Sequence, residues 1–175
     1  MSVIAAAVTG EVPPSAESDF GTVDRNDLTA ELSQLVGESN GDFGKARPKI
    51  LAHLKRSRAE LIAGAERQLL ADGGGRACAR RLADGHDAII RAIAVTASRH
   101  VYRVDNRSSG EHIAIVATGG YGRGTLAPAS DIDLLFLFPY KHTPWTENIV
   151  ETVLYFLWDM GLKVGHATRS VDECI

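Results

Sequence analysis

The residues best equipped for chemistry lie in the run Thr118-Gly-Gly-Tyr-Gly-Arg-Gly-Thr-Leu-Ala-Pro-Ala-Ser-Asp-Ile-Asp-Leu-Leu-Phe-Leu-Phe138. Gly119 and Gly120 follow a short apolar stretch, and ten residues separate them from Asp131-Ile132-Asp133. Side chains alternate faces along a strand, so Asp131 and Asp133 are expected on one face and Ile132 on the other. Two like charges about 4 Å apart repel by about 4 kcal/mol at an effective dielectric of 20. A hard divalent cation relieves that repulsion, and Mg²⁺ is commonly held by one or two carboxylates together with substrate phosphates. Glycines beside the pair let the backbone approach a phosphate closely, with N–H groups available to hold it. The residues therefore point to a metal-dependent site for a nucleoside triphosphate, with Asp131 and Asp133 as its metal-binding, catalytic carboxylates. The competing reading is a tight turn followed by two solvated strand-end aspartates.

Several elements must position these groups. His112–Ala117 is a short apolar strand that delivers the glycines, and Tyr121–Ala127 is a short helix or loop. Ile132–Phe138 is too continuously apolar for a one-sided surface strand and is expected to be central, covered on both faces. Thr143-Pro144 supplies an N-cap and a proline at the first helical position. The helix it opens carries Ile149, Val150, Val153, Leu154, Leu157 and Met160 and stops near Gly161. Lys163–Arg169 is a further strand, and Val171–Ile175 resembles the opening turn of a helix.

Upstream, Ile50, Leu51, Leu54, Leu61, Ile62, Ala65 and Leu69 recur at three and four residues and predict one amphipathic helix from Pro48. Its charged face reads as solvated. Asp72–Gly75 ends it. A second helix is expected from Arg76 to about Val104, with Leu82, Ile89, Ile90, Ile93, Ala97 and Val101 buried. It contains His86-Asp87, a doublet that invites a metal-phosphohydrolase reading, but the chain supplies no convincing set of further ligands. His86 falls near the apolar stripe, so a packed, hydrogen-bonded histidine is expected. Residues 1–44 show no sustained apolar period and read as a mobile leader; a short helix around Leu28–Val36 within it has little to bury.

At 175 residues the chain can bury one real core, with 45% hydrophobic and 23% charged residues. A net charge of −3 excludes a general polyanion binder, so no nucleic-acid partner is expected. No apolar run approaches the roughly 18 residues that span a bilayer, so no membrane partner is expected either. No basic residue precedes the apolar patch Val3–Val8, which argues against a signal peptide and for a cytoplasmic protein. Cys78 and Cys174 form no close-spaced motif and read as reduced structural thiols.

The strand, the Gly-Gly pair and the Asp-x-Asp at this spacing resemble the signature of the nucleotidyltransferase superfamily that includes DNA polymerase β. Gly119–Gly124, Leu126-Ala-Pro128 and Ser130–Leu135 resemble the bifunctional PII uridylyltransferase/uridylyl-removing enzymes more closely. So does Leu157-Trp-Asp-Met-Gly-Leu-Lys-Val-Gly-His166 followed by Arg169. The resemblance covers residues 45–175. It implies an α+β fold, in which N-terminal helices precede a truncated nucleotidyltransferase fold with a small mixed sheet flanked by helices. The expected division is a leader at 1–44, a helical lead-in at 45–106 and the nucleotidyltransferase domain at 107–175.

For function, the resemblance implies Mg²⁺-dependent transfer of UMP from UTP to a tyrosine of the PII nitrogen-signalling protein. Glutamine would be the effector of the full-length enzyme. Asp131 and Asp133 match the metal-binding carboxylates, and Gly119 and Gly120 match the phosphate-side glycines. Arg123 and Ser130 are expected within reach of the triphosphate, though Arg123 serves equally well as a structural partner of an acidic neighbour. Lys163, His166 and Arg169 either face the nucleotide or line a solvated strand.

Two departures stand out. Thr125 occupies a position where the family commonly has glutamate. The third carboxylate usual in the superfamily has no clear counterpart, since only Asp172 and Glu173 follow the last strand. A non-catalytic nucleotide- or partner-binding remnant, or a nucleotidyltransferase with another acceptor, are the rival readings.

Overall fold

A computed structural model of the chain describes residues 2–5, 25–104, 110–140 and 142–175. In chain order the elements are β1 (Ser2–Ala5), α1 (Arg25–Glu38), α2 (Phe43–Asp72), α3 (Gly75–Thr96), a π-helical turn (Ala97–Val101) and β2 (Ala114–Ala117). There follow α4 (Gly119–Gly122), β3 (Ile132–Phe138), α5 (Pro144–Asp159), β4 (Val164–Ser170) and a closing 3₁₀ turn (Asp172–Cys174). The α+β class expected from sequence is observed. Among the described residues, no helix is long and apolar enough to cross a membrane.

The four strands form one mixed sheet in the order β1-β2-β3-β4. β1 and β3 both run antiparallel to β2, whereas β4 runs parallel to β3 and is reached through α5. A parallel neighbour needs such a crossover, which a hairpin cannot supply. The parallel register sets Ile132 beside Val164, Asp133 beside Gly165 and Leu135 beside Ala167.

β3 is central, as expected, but it is not covered on both faces. Ile132, Leu134, Phe136 and Phe138 are at most 2% exposed, whereas Leu135 and Leu137 are half-buried and Asp133 is exposed. The buried row belongs to one apolar cluster with Ile89 and Ile93 of α3 and Ile149, Val153 and Leu157 of α5. One face of the strand thus meets the core, while the face bearing Asp133 stays open. The uninterrupted apolar run concealed this two-sidedness.

The helices start earlier and bury more than their sequence suggests. α2 begins at Phe43, capped by Asp42, whose carboxylate accepts from the Lys45 amide at 3.1 Å, and it runs through Pro48. It ends where Gly73 donates its N–H to the Leu69 carbonyl at 2.8 Å. Of the leader expected over 1–44, residues 1 and 6–24 lie outside the described residues. The helix expected around Leu28–Val36 is α1, and the expectation that it buries little is corrected: Leu28, Leu32 and Val36 are at most 1% exposed. Their spacing of four makes a single stripe, too short to register as a sustained period. α5 has the expected cap, with the Thr143 hydroxyl accepting from the Thr146 amide and the Thr146 hydroxyl accepting from the Thr143 amide. Cys78 is buried and Cys174 exposed, and both are free thiols.

α2 and α3 cross where Gly85 faces Leu61. A β-carbon on Gly85 would stand 2.2 Å from Leu61 Cδ2 and 2.5 Å from Cδ1. Alanine in a helix interior gains about 1 kcal/mol over glycine, but overpacking a filled core costs about 1–3 kcal/mol. Leu61 is itself buried, so the steric term wins. Gly85→Ala should lower stability by up to about 2 kcal/mol in urea unfolding; a gain would mean that Gly85 does not set this crossing.

The next residue, the buried His86, donates its Nδ1–H to the Leu82 carbonyl at 2.7 Å, as expected of a packed histidine. Burial, reinforced by the positive charge of Arg58, holds its pKa below the ordinary value of 6.5. Burial also depresses His100, with Arg99 and Arg103 adding to the effect. The unfolded chain therefore takes up protons near pH 6.5 that the folded chain refuses, so stability is fully present above that value and falls as pH drops below it. Thermal unfolding should show a lower midpoint at pH 5.5 than at pH 7.5. His86→Met should flatten that dependence, and an unchanged slope in the variant would contradict this assignment.

Candidate active site

The open face of β3 carries the two candidate carboxylates. Asp131 and Asp133 are both exposed and bracket the fully buried Ile132. Ile132 anchors the head of the strand, and its amide donates to the Lys163 carbonyl at 2.9 Å. At the other side, the Thr118 amide donates to the Asp133 carbonyl at 3.0 Å, which pins the end of β2 beside the carboxylate.

Asp133 sits between two glycines. A β-carbon on Gly119 would stand 2.8 Å from Asp133 Oδ2, and one on Gly165 would stand 2.6 Å from Oδ1. Each oxygen rests against a bare Cα, in space that any other residue would fill. Gly119 also has φ +58°, in the left-handed region where a side chain costs about 1 kcal/mol. Two demands on one position explain why Gly119 opens α4.

The other residues singled out from sequence lie around this point without all converging on it. Gly120 is half-buried in α4, and its carbonyl accepts from the amides of Arg123 (3.2 Å) and Thr125 (3.1 Å) and from the Thr125 hydroxyl (2.9 Å). Thr125 thus braces the loop by a short local bond. The Arg123 guanidinium folds back over Gly120, with Nη2 3.9 Å from where a β-carbon there would be. Ser130 is exposed in a turn, its amide donating to the Ala127 carbonyl at 3.1 Å. On β4, Arg169 pairs with Leu137 and lies in the same alternating set as Gly165, on the face of Asp133. His166 belongs to the opposite set and meets the Trp158 ring edge at 6.2 Å, so it does not face the carboxylates.

Glu173 accepts from the Ser170 amide at 2.7 Å, and this bond, with the neighbouring Arg169, lowers its pKa. It caps the end of β4 rather than joining the Asp pair. Among the described residues, no group of three or more His, Cys, Asp or Glu side chains gathers to hold a metal ion.

Sequence reasoning missed Gly165 and Tyr121. The signal for Gly165 was a glycine inside a strand, which often marks the close approach of another group. Tyr121 is 3% exposed and donates its hydroxyl to Asp87 Oδ1 at 2.5 Å. The His-Asp doublet drew attention to its histidine, while its aspartate holds the glycine loop.

The steric fit generates a contrast between two variants. Gly165 is exposed and the Asp133 side chain can swing away, so Gly165→Ala should change stability by less than about 1 kcal/mol while displacing the carboxylate in a crystal structure. Gly119→Ala combines that clash with a strained φ and should cost about 1–2 kcal/mol in urea unfolding. Equal, negligible effects of both on fold and carboxylate position would show that the pocket between the glycines is not tight.

Comparison with known proteins adds a match over the same stretch of sequence. A family model described as a nucleotidyltransferase domain matches residues 99–169, from the π-helical turn through β4. A bifunctional uridylyltransferase/uridylyl-removing enzyme of Bradyrhizobium sp. strain BTAi1 is 48% identical over 163 residues, 93% of this chain and 18% of the relative. Its counterpart in Rhodopseudomonas palustris is 48% identical over 162 residues, 93% of this chain and 17% of the relative. That of Bradyrhizobium sp. strain ORS 278 is 51% identical over 148 residues, 85% of this chain and 16% of the relative. The chain thus spans less than a fifth of the length of these curated relatives. No solved structure matches it. With a nucleotidyltransferase-domain match around the Asp133 pocket and about half its residues shared over most of its length, the chain closely resembles one part of the bifunctional uridylyltransferase/uridylyl-removing enzymes.

Proposed function

We propose that this chain supplies the metal- and nucleotide-binding part of a cytoplasmic protein uridylyltransferase. The reaction would transfer UMP from UTP to a tyrosine of the PII nitrogen-signalling protein and release diphosphate, and the full-length enzyme would respond to glutamine. The observation that carries this reading is the Asp133 carboxylate, exposed at the head of a central strand and flanked by bare glycines that leave its oxygens approachable. Names of relatives, each a uridylyltransferase, support the choice of nucleotide.

The donor set suits Mg²⁺, which takes one or two protein carboxylates and completes its shell with water and substrate phosphates. Asp131 and Asp133 would hold it, and when bound it supplies charge neutralisation on the triphosphate and a lowered pKa for the attacking hydroxyl. The remaining work belongs to the chain. Gly119 and Gly120 present backbone close enough for N–H groups to take phosphate oxygens. Arg123, folded over Gly120, would add a guanidinium to the same oxygens, and Ser130 would offer a hydroxyl from the turn. The acceptor oxygen forms a bond to the α-phosphorus as the bond to the leaving diphosphate breaks, so positioning and charge stabilisation dominate the catalysis.

A second reading has its own observation. The described residues bring only two carboxylates to the site, without the third expected of the superfamily. On that reading the chain binds nucleotide and performs no transfer. Incubation with UTP, Mg²⁺ and PII separates the two, because any metal-dependent UMP incorporation excludes the inert form.

In a full-length uridylyltransferase containing this sequence, Asp131→Asn should reduce UMP transfer by about 10³-fold without loss of fold; near-normal transfer would sink the assignment. For the chain itself, Mg²⁺ with UTP at about 100 times its Kd should raise apparent stability by about 2.7 kcal/mol. ATP at the same concentration should do less, and equal shifts would remove the case for uridine.

A further inference from the structure

We infer that Asp87 and Tyr121 are a positioning pair, through which α3 fixes the glycine loop relative to the carboxylates; this rests on the triphosphate-binding reading of the site. Asp87 lies on a buried face of α3, 9% exposed, and accepts from the Tyr121 hydroxyl, itself on a side chain 3% exposed. Burying a carboxylate is costly without hydrogen bonds, and an O–H···O⁻ bond of 2.5 Å is short enough to be charge-assisted. Tyr121 stands two residues after Gly119, whose Cα packs on the Asp133 carboxylate. A shift of the ring would therefore move the backbone that must meet the phosphates.

The same helix also reaches the far end of the loop. Residues 80, 84 and 87 are spaced by four and three, so they line one side of α3. Arg80 lies across Gly124: a β-carbon there would stand 3.0 Å from Arg80 Cδ and 3.2 Å from Nη1, and Gly124 adopts φ +69°. Arg80 also pairs with Asp84 at 3.6 Å. Between these two anchors the loop is closed internally, with the Gly124 amide donating to the Tyr121 carbonyl at 2.9 Å and Thr125 bonded to Gly120. The loop is thus closed on itself and bonded to α3 at Tyr121, with Arg80 lying over Gly124. Misplacement by about 1 Å of groups that orient a reactant can cost about 100-fold, which gives the Tyr121 tether its consequence.

Two readouts on the whole chain test this. Amide hydrogen exchange of Gly119–Thr125 reports the tether without nucleotide, and titration with Mg²⁺–UTP reports its consequence. Tyr121→Phe keeps the ring and its packing. It should speed loop exchange about tenfold relative to α2 and weaken Mg²⁺–UTP binding about tenfold, with Asp87→Ala matching it and the double variant no worse than either. Asp87→Asn, which retains an acceptor oxygen, should stay within threefold of the unsubstituted chain in both. Unchanged loop exchange in Tyr121→Phe would remove the tether, and faster exchange with unchanged affinity would remove its positioning role. Failure of the unsubstituted chain to bind Mg²⁺–UTP would overturn the triphosphate reading itself, a different result from insensitivity of the variants.

Discussion

The site depends on a steric constraint: there is room for the Asp133 carboxylate only because positions 119 and 165 have no side chains. That constraint links three segments that are distant in sequence. β2 must end where its next residue turns into the left-handed region, β3 must place Asp133 as its second residue, and β4 must run parallel so that a glycine meets it in register. The parallel pairing in turn requires α5 as the crossover, and α5 buries its apolar face against the same side of the sheet as α3. The core side of the sheet is therefore committed to packing, which leaves the opposite side free for chemistry.

The helical region acts on the site through contacts as well as through bulk. α1 and α2 pack on α3, and α3 carries Asp87 and Arg80 to the glycine loop. Gly85 allows α2 to come close at the level of the buried His86-Asp87 pair, so helix packing and loop placement are decided within one turn of α3. The Arg47–Asp159 pair between α2 and α5 is partly exposed, and pairs of that kind contribute little, about 0–1 kcal/mol. Apolar burial and the Gly85 crossing dominate how the helices meet one another.

Much of this was legible from residues alone. The carboxylates were visible because Asp-Ile-Asp alternates polar and apolar at the head of an apolar run, and Ile132 is buried between exposed aspartates as that alternation requires. α5 was legible because its cap and its apolar period agree. The second face of β3 was not, because Leu135 and Leu137 have the same chemistry as the buried row and only their half-exposure distinguishes them. α1 was underestimated because three leucine and valine positions in a polar context give little periodic signal, although those three suffice to seat it. Gly165 and Tyr121 were missed for another reason: a glycine inside a strand signals a close approach, but the partners of both residues are far away in sequence and no local pattern names them.

The central claim is that a divalent cation is held at Asp131 and Asp133, beside the glycines. Substoichiometric Mn²⁺ added to the isotopically labelled chain would locate it through paramagnetic broadening of backbone amide signals. The account predicts that Gly119, Asp131, Asp133 and Gly165 broaden first, and that UTP strengthens the effect and extends it to Gly120 and Arg123. Broadening centred elsewhere, or none at these residues with UTP present, would contradict it.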